Sequence, residues 1–339
     1  MKVEYWLGNH KFVIVLGILV LLTGVFLSGV YFGKTGKGWP FIKKNQIWSI
    51  GIYEGNDISN LRPSPNVRNP VLTAKDVNDV AAEFVADPFM VEHDGKWYMF
   101  FEVLNRKDNK GDIGLATSTD CLHWEYKQIV LDEPFHLSYP YVFEWQNEFY
   151  MIPETHLAHA IRLYKAIDFP LKWALHKEII KGDYSDPSIV QYEGKWWLFA
   201  TKGPYWDNMY LFYSDNLDGD WIEHPKSPVI MNNSGIARPG GRILSYDGRL
   251  VRLAQDCEGD YGSKLRAFEI TELSVGSYKE HQLFDNPILS GTGNCLTSII
   301  GKGWNSAGMH HLDFHIRDGE NGIGCVDGWR QRPSFDLRH

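Results

Sequence analysis

Short apolar runs broken by two-residue turn sequences dominate this chain, and they recur about every 50 residues. The first unit reads Asp87-Pro88-Phe89-Met90-Val91, the turn Asp94-Gly95, then Trp97 to Glu102. The second runs from Tyr139-Pro140-Tyr141-Val142 through Gln146-Asn147 to Phe149-Tyr150-Met151-Ile152 and Glu154. The third is Asp186-Pro187-Ser188-Ile189-Val190, Glu193-Gly194, Trp196-Trp197-Leu198-Phe199, and the fourth is Arg238-Pro239-Gly240-Gly241, Asp247-Gly248, Leu250 to Leu253. Each is a β-hairpin, because these turn pairs supply the positive-φ positions of a two-residue turn. A second strand pair follows, its last strand opened by Trp124, Trp173, Trp221 or Tyr278, rings placed to pack between repeats.

Four strands per repeat of this length describe a propeller blade. A fifth, degenerate unit begins near Asn294 and includes Trp304 to Phe314. The stretch Ile47 to Tyr53, with Asn69-Pro70-Val71-Leu72, has no repeat of its own and is expected to complete the last blade. The fold class is therefore all-β: a five-bladed β-propeller over residues 45–339.

Ahead of it lie an N-terminal tail (1–11), an uncharged apolar run (12–32) and a Gly/Lys linker (33–44). The run is long enough, at about 1.5 Å per residue, to span the roughly 30 Å hydrocarbon layer as a single transmembrane helix. A cleavable signal peptide is the competing reading, but the run exceeds the usual apolar core and lacks a small-residue cleavage site. Lysines flank both ends, Lys2 and Lys11 before and Lys34, Lys37, Lys43 and Lys44 after. By charge count the propeller faces the cytoplasm; a glycan role places it outside, or in a lumen.

Aromatic residues make up 14% of the chain, a share that favours pleated strands. The net charge of -8 offers no basic field, so no nucleic-acid partner is expected. The four cysteines contain no C-x-x-C pair, and residues 311, 313 and 315 are too widely spaced along a strand for one ion. No metal and no cofactor are expected.

A propeller's innermost strand starts at the face where the antiparallel second strand ends. The strand starts are Asp87, Tyr139, Asp186, Arg238 and Asn294. Counting seven residues on from each turn gives Glu102, Glu154, Thr201, Gln255 and His310. One mouth then collects four carboxylates, an arginine and a histidine. Paired carboxyls, one protonated and one ionised, are what glycosidic cleavage uses. Asp87 is the candidate base or nucleophile and Glu154 or Asp186 the acid, with Glu102, Tyr139, Arg238, Gln255 and His310 contacting substrate. The bland readings are an Asp that only initiates a strand and a static network of Glu102 or Glu154 with Arg238.

Phe84 to Phe89, Ile152-Pro153-Glu154-Thr155, Ser185 to Ser188, Ala237 to Gly241 and Gly308 to His311 occur in order over roughly residues 45–330. On these phrases the chain resembles the N-terminal propeller domain of glucosamine inositolphosphorylceramide transferases and bacterial relatives. The resemblance implies a propeller working beside a separate catalytic domain; none is expected here, where anchor and propeller take up all 339 residues. More distantly the sequence is similar to five-bladed arabinanase, xylosidase and invertase-type glycosidases, which place an Asp where Asp87 stands. They generally carry a second Asp and a Glu where Tyr139 and Asp186 stand here.

The leading expectation is thus a membrane-anchored, glycosidase-like propeller acting on a cell-envelope or lipid-linked glycan. Its alternative is a non-catalytic glycan-binding or accessory module serving a separate sugar-modifying enzyme. A protein-interaction scaffold is disfavoured, since it calls for an apolar rim patch rather than a polar pore.

Overall fold

The computed structural model describes residues 15–28, 42–246, 248–293, 303–317 and 321–335. The chain divides into two units, residues 46–331 and a unit of residues 1–45 with 332–339. In the second of these, residues 15–28 form a helix whose Val15, Leu16, Ile18, Leu19, Leu22 and Phe26 are all exposed. The transmembrane expectation is met only this far. Among the described residues no helix is long and apolar enough to cross a membrane, and the rest of the 12–32 run lies outside them.

The larger unit is built from five antiparallel sheets, one per blade. The first blade contains Ala82–His93, Lys96–Asn105, Lys110–Ser118 and Glu125–Leu131; the second Ser138–Trp145, Glu148–Glu154, Ala160–Asp168 and Lys172–Lys181. Ser185–Tyr192, Lys195–Lys202, Asn208–Ser214 and Ile222–Glu223 make the third. The fourth is Arg238–Pro239, continued by Leu244–Tyr246, with Arg249–Asp256, Lys264–Ser274 and Ser277–Gln282. The inner hairpins close as their sequences require. His93 pairs with Lys96, Trp145 with Glu148 and Tyr192 with Lys195, and both residues of each intervening turn have positive φ.

The fifth blade mixes the two ends of the chain in the order Arg62–Pro63, Ile42–Gly55, Asn321–Phe335, Leu312–Arg317. The segment before Asp87 thus supplies the outer half, as its unpaired strand pattern implies. Asn69 and Leu72 are tied to this blade by hydrogen bonds to Ile52 and Ile50. One boundary differs from expectation. The blade's inner strand begins at Leu312, and Asn294 lies outside the described residues. The fifth count of seven, from Gly303 to His310, started outside this blade's hairpin, in which Arg317 pairs with Asn321.

Aromatic rings seal the seams between blades. Trp173 meets Phe100 of the first blade edge-on at 5.4 Å, and Tyr278 lies 5.8 Å from Phe199 of the third. The indole N–H groups of Trp124, Trp173 and Trp221 each donate to a carbonyl three or four residues back, a shared structural role.

Closure makes the N-terminal strands part of the core. Ile50, Ile52 and Leu72 are fully or almost fully buried. Burying each contributes about 1.5–3 kcal/mol, and a whole domain has only about 5–15 kcal/mol to lose. Deleting residues 45–75 is therefore expected to abolish the cooperative thermal transition of the soluble domain. A truncated domain melting like the intact one would refute the shared blade.

Candidate functional site

Asp87 lies within the inner strand of the first blade, and Tyr139 and Asp186 are the second residues of the next two inner strands; each is followed by proline, with φ of 51°, 49° and 50°. A register shift interrupts the hairpin there in every case, between Ala86 and Phe89, Ser138 and Tyr141, and Ser185 and Ser188. These are bulges in a left-handed conformation, which costs on the order of 1–3 kcal/mol for a non-glycine residue and re-aims side chains at strand ends.

Asp87 and Asp186 join one buried chamber. Arg238 binds Asp186 through Nε and Nη2, and its Nη2 lies 3.8 Å from Glu154. Gln255 donates to Asp186 at 2.6 Å, and the Asp186 amide donates to Glu154 at 3.2 Å. Across the axis His310 sits between Asp327 (2.9 Å) and Asp87 (3.8 Å). Asp327 also accepts the Asp87 amide proton, at 3.1 Å. His136 places Nε2 at 3.5 Å from Glu102 while its Nδ1 accepts the Gly111 amide proton, which puts the proton of the neutral ring on Nε2. A Cβ on Gly111 would come within 2.0 Å of the Leu137 carbonyl and 3.0 Å of both His136 and Glu102, so only glycine fits.

The chamber is closed at both ends. Tyr139 forms part of its floor, away from the mouth: its ring packs on Phe89 and His311, and its hydroxyl accepts from the Gly241 amide and donates to the Gly241 carbonyl. Deeper still, Arg242 spans three blades through the Met90 and Val142 carbonyls and the Asp313 carboxylate. Above, Trp48 stacks on His310 with ring centroids 4.1 Å apart, and Arg238 lies over Trp206 and Tyr261. Asp87 and Glu102 are each 6% exposed, Glu154 4% and Asp186 1%.

Burial on this scale sorts the carboxyls. Glu154 is held below the ordinary range, because His156 (2.6 Å) and Arg238 outweigh the penalty of burial. Asp186 is raised to about 6 by burial, with Arg238 pulling it down and Glu154 pushing it up, and stays ionised at neutral pH. Asp327 is lowered by His310 against its burial, and His310, despite burial, is raised by Asp327 and Asp87. The first-blade carboxyls are different. Burial pushes Asp87 up to about 8, with His310 opposing and Asp327 and Asp186 adding, and pushes Glu102 well above its usual value, helped by Asp87 and Glu154. Asp87 therefore holds its proton at neutral pH, and Glu102 is displaced in the same direction. Burial lowers His311 to about 4; its Nδ1, 4.0 Å from Asp87, has no hydrogen-bond partner among the described residues. The donor atoms of Asp87, His310 and Asp327 lie within 4.8 Å of one another, a set of the right size for a cation.

The family model described as "Glucosamine inositolphosphorylceramide transferase 1, N-terminal" matches residues 42–329. This chain belongs to that family. Glucosamine inositolphosphorylceramide transferase 1 of Oryza sativa subsp. japonica is 36% identical over 310 residues, covering 85% of this chain and 41% of the relative. The Arabidopsis thaliana protein of the same name is 35% identical over 313 residues, covering 86% and 40%. The chain thus spans about two fifths of the length of these relatives. Among solved structures, a thermostable family-43 glycoside hydrolase superposes with a TM-score of 0.55 at 15% identity, covering 73% of this chain and 93% of that one. An exo-1,5-alpha-L-arabinanase from a bovine ruminal metagenomic library gives 0.52 at 14%, covering 70% and 93%. These two share the fold.

In this member of the transferase N-terminal family, seven of the eight sequence-derived site residues, Asp87, Glu102, Glu154, Asp186, Arg238, Gln255 and His310, meet in the chamber, and Tyr139 does not. His310 reaches it from the head of the fifth inner strand rather than from the end of a second strand. The second-strand position belongs to Asp327, which the sequence reading missed by counting from Gly303. Counting from Gly319, with one residue for the longer turn, finds it. His136, His156, Trp206 and Tyr261 come from connections outside the repeat, and the spacing argument had no means of placing them.

Asp87 titrates near 3.8 in an unfolded chain and near 8 in the fold, so the folded state holds the extra proton and its stability falls as pH rises across that window. Asp87→Asn, tolerated at positive φ, removes this penalty. The variant is expected to gain several degrees in melting temperature over wild type at pH 8 and roughly a third of that gain at pH 5. An equal difference at both pH values would mean that Asp87 is ionised throughout.

Proposed function

We propose that this chain is a carbohydrate-recognising propeller that binds a glycan or glycolipid headgroup and serves a separate sugar-transferring enzyme. The observation that carries the reading is the Arg238 clamp. The carboxyls expected to act as acid, Glu154 and Asp186, are both engaged by Arg238 and shut from water. A carboxyl held by a guanidinium in this way is fixed to orient a ligand, and its pairing competes with handing a proton to a leaving group. Relatives named as transferases, much longer than the aligned propeller, support a partner role.

Hydrolysis is the second reading, and one observation favours it: no hydrogen bond among the described residues reaches the carboxyl of Asp87, and that carboxyl is protonated at neutral pH. The run at 12–32 and the exposed apolar helix within it support membrane attachment, since a helix apolar on all sides needs an apolar surround. A role on envelope glycans favours an extracytoplasmic or lumenal propeller.

For a binder, Asp87→Asn is expected to shift glycan affinity by about 1–3 kcal/mol through one altered hydrogen bond, with no product released by either form. Wild-type release of sugar that falls by orders of magnitude in the variant would establish the hydrolase instead. In a bacterial host, an alkaline phosphatase fusion at the C-terminus is expected to be active and a green fluorescent protein fusion dark; the reverse would place the propeller in the cytoplasm.

A further inference from the structure

Beside the buried chamber, on the same face, lies an open pocket of about 350 Å³. That volume is at the small end of the roughly 300–1,000 Å³ range of small-ligand sites. Tyr205, Trp206 and Tyr261 give it aromatic surface, and Asp207, Asn232 and Ser234 give it polar groups. Trp206 stands at a φ of 50° and Tyr205 is 71% exposed. Two large aromatics held out to solvent on a loop, one of them in a strained backbone, point to a surface kept for a ligand. Arg238 covers Trp206 from the chamber side at 4.9 Å, yet the side chain remains 40% exposed.

We propose that this pocket is a pyranose-binding subsite that leads to the carboxylate chamber. The proposal rests on the carbohydrate reading above and deepens it. A pyranose ring has an apolar C–H face and a rim of hydroxyls. The first matches the Trp206 surface and the second the Asp207, Asn232 and Ser234 rim. The Asp207 carboxylate accepts from the Asn208 amide at 2.7 Å, which fixes it as an acceptor for sugar hydroxyls. Arg238 links the two compartments, because it lies against Trp206 and Tyr261 while binding Asp186. A sugar seated on Trp206 therefore sits one side chain away from the buried carboxylates.

Cys257 lines the same pocket as a free thiol and reports its occupancy. The test uses the full chain with methyl pyranosides of the gluco, galacto, manno and N-acetylglucosamine series and their β-linked disaccharides. Binding is read by saturation-transfer NMR and calorimetry, and iodoacetamide labelling of Cys257 by peptide mass spectrometry. Trp206→Ala is expected to weaken binding about tenfold or more, the scale of one lost aromatic contact, and Trp206→Phe to restore most of it. Melting temperature should fall by no more than a few degrees in either variant, the scale of one lost cation–π contact, and a bound sugar should slow Cys257 alkylation in the wild type. Sugar binding that Trp206→Ala leaves intact, with Cys257 still open to alkylation, would overturn the subsite and leave the carbohydrate reading standing. No binding by wild type across the panel would overturn both.

Discussion

Five carboxyl groups buried around one axis are the constraint on which the upper face of this propeller depends. Charges of one sign cannot be gathered out of water without compensation, since the desolvation of each ion costs several kcal/mol. Two solutions operate side by side. Glu154, Asp186 and Asp327 remain ionised because Arg238, His156 and His310 are within reach of them. Asp87 has only the His310 that it shares with Asp327, and Glu102 has the His136 ring, so burial drives both upward. The chamber thereby presents carboxyls in two electrostatic settings on different walls.

The backbone makes this arrangement possible. A regular inner strand would alternate its side chains between the two faces of its own sheet. The bulges at Asp87 and Asp186 break that alternation and turn the side chain toward the axis, with the following proline fixing the direction of the strand. Tyr139 shows that the backbone device is separable from the chemistry. It has the same conformation and the same following proline, but its hydroxyl bonds to the Gly241 backbone and helps to floor the chamber. A Cβ on Gly241 would stand 1.9 Å from the Leu312 carbonyl, so the fourth inner strand reaches the axis only because that residue is glycine.

This division explains what could be read from the chain. Turn pairs such as Asp94-Gly95 encode φ directly, and the repeat multiplies each signal, so the blades and seven chamber residues follow from spacing. The fifth blade lacks the X-Pro strand start, and its true turn stands sixteen residues beyond the glycine used for counting; Asp327 was lost with it. Tyr139 misled because side-chain type, and not strand position, decides whether a bulge residue faces the cavity or the floor. The aromatic cover and His136 belong to connections, where no period applies. Closure to solvent was also invisible, since it arises from Trp48, Trp206 and Tyr261, which come together from three blades only in the closed ring.

Arg238 is where these levels meet. It neutralises Asp186, approaches Glu154 and lies over both rings of the cover. Removing one partner of a buried ion pair typically costs about 3–5 kcal/mol, so the guanidinium cannot leave its carboxylates to admit a ligand. The rings can move more cheaply, because a cation–π contact is worth only about 0.5–2 kcal/mol. Opening of the chamber is therefore expected to proceed by displacement of Trp206 and Tyr261 around a fixed Arg238. A ligand that replaces their contact with the guanidinium by hydroxyl hydrogen bonds offsets that loss, while the Asp186 pair stays intact.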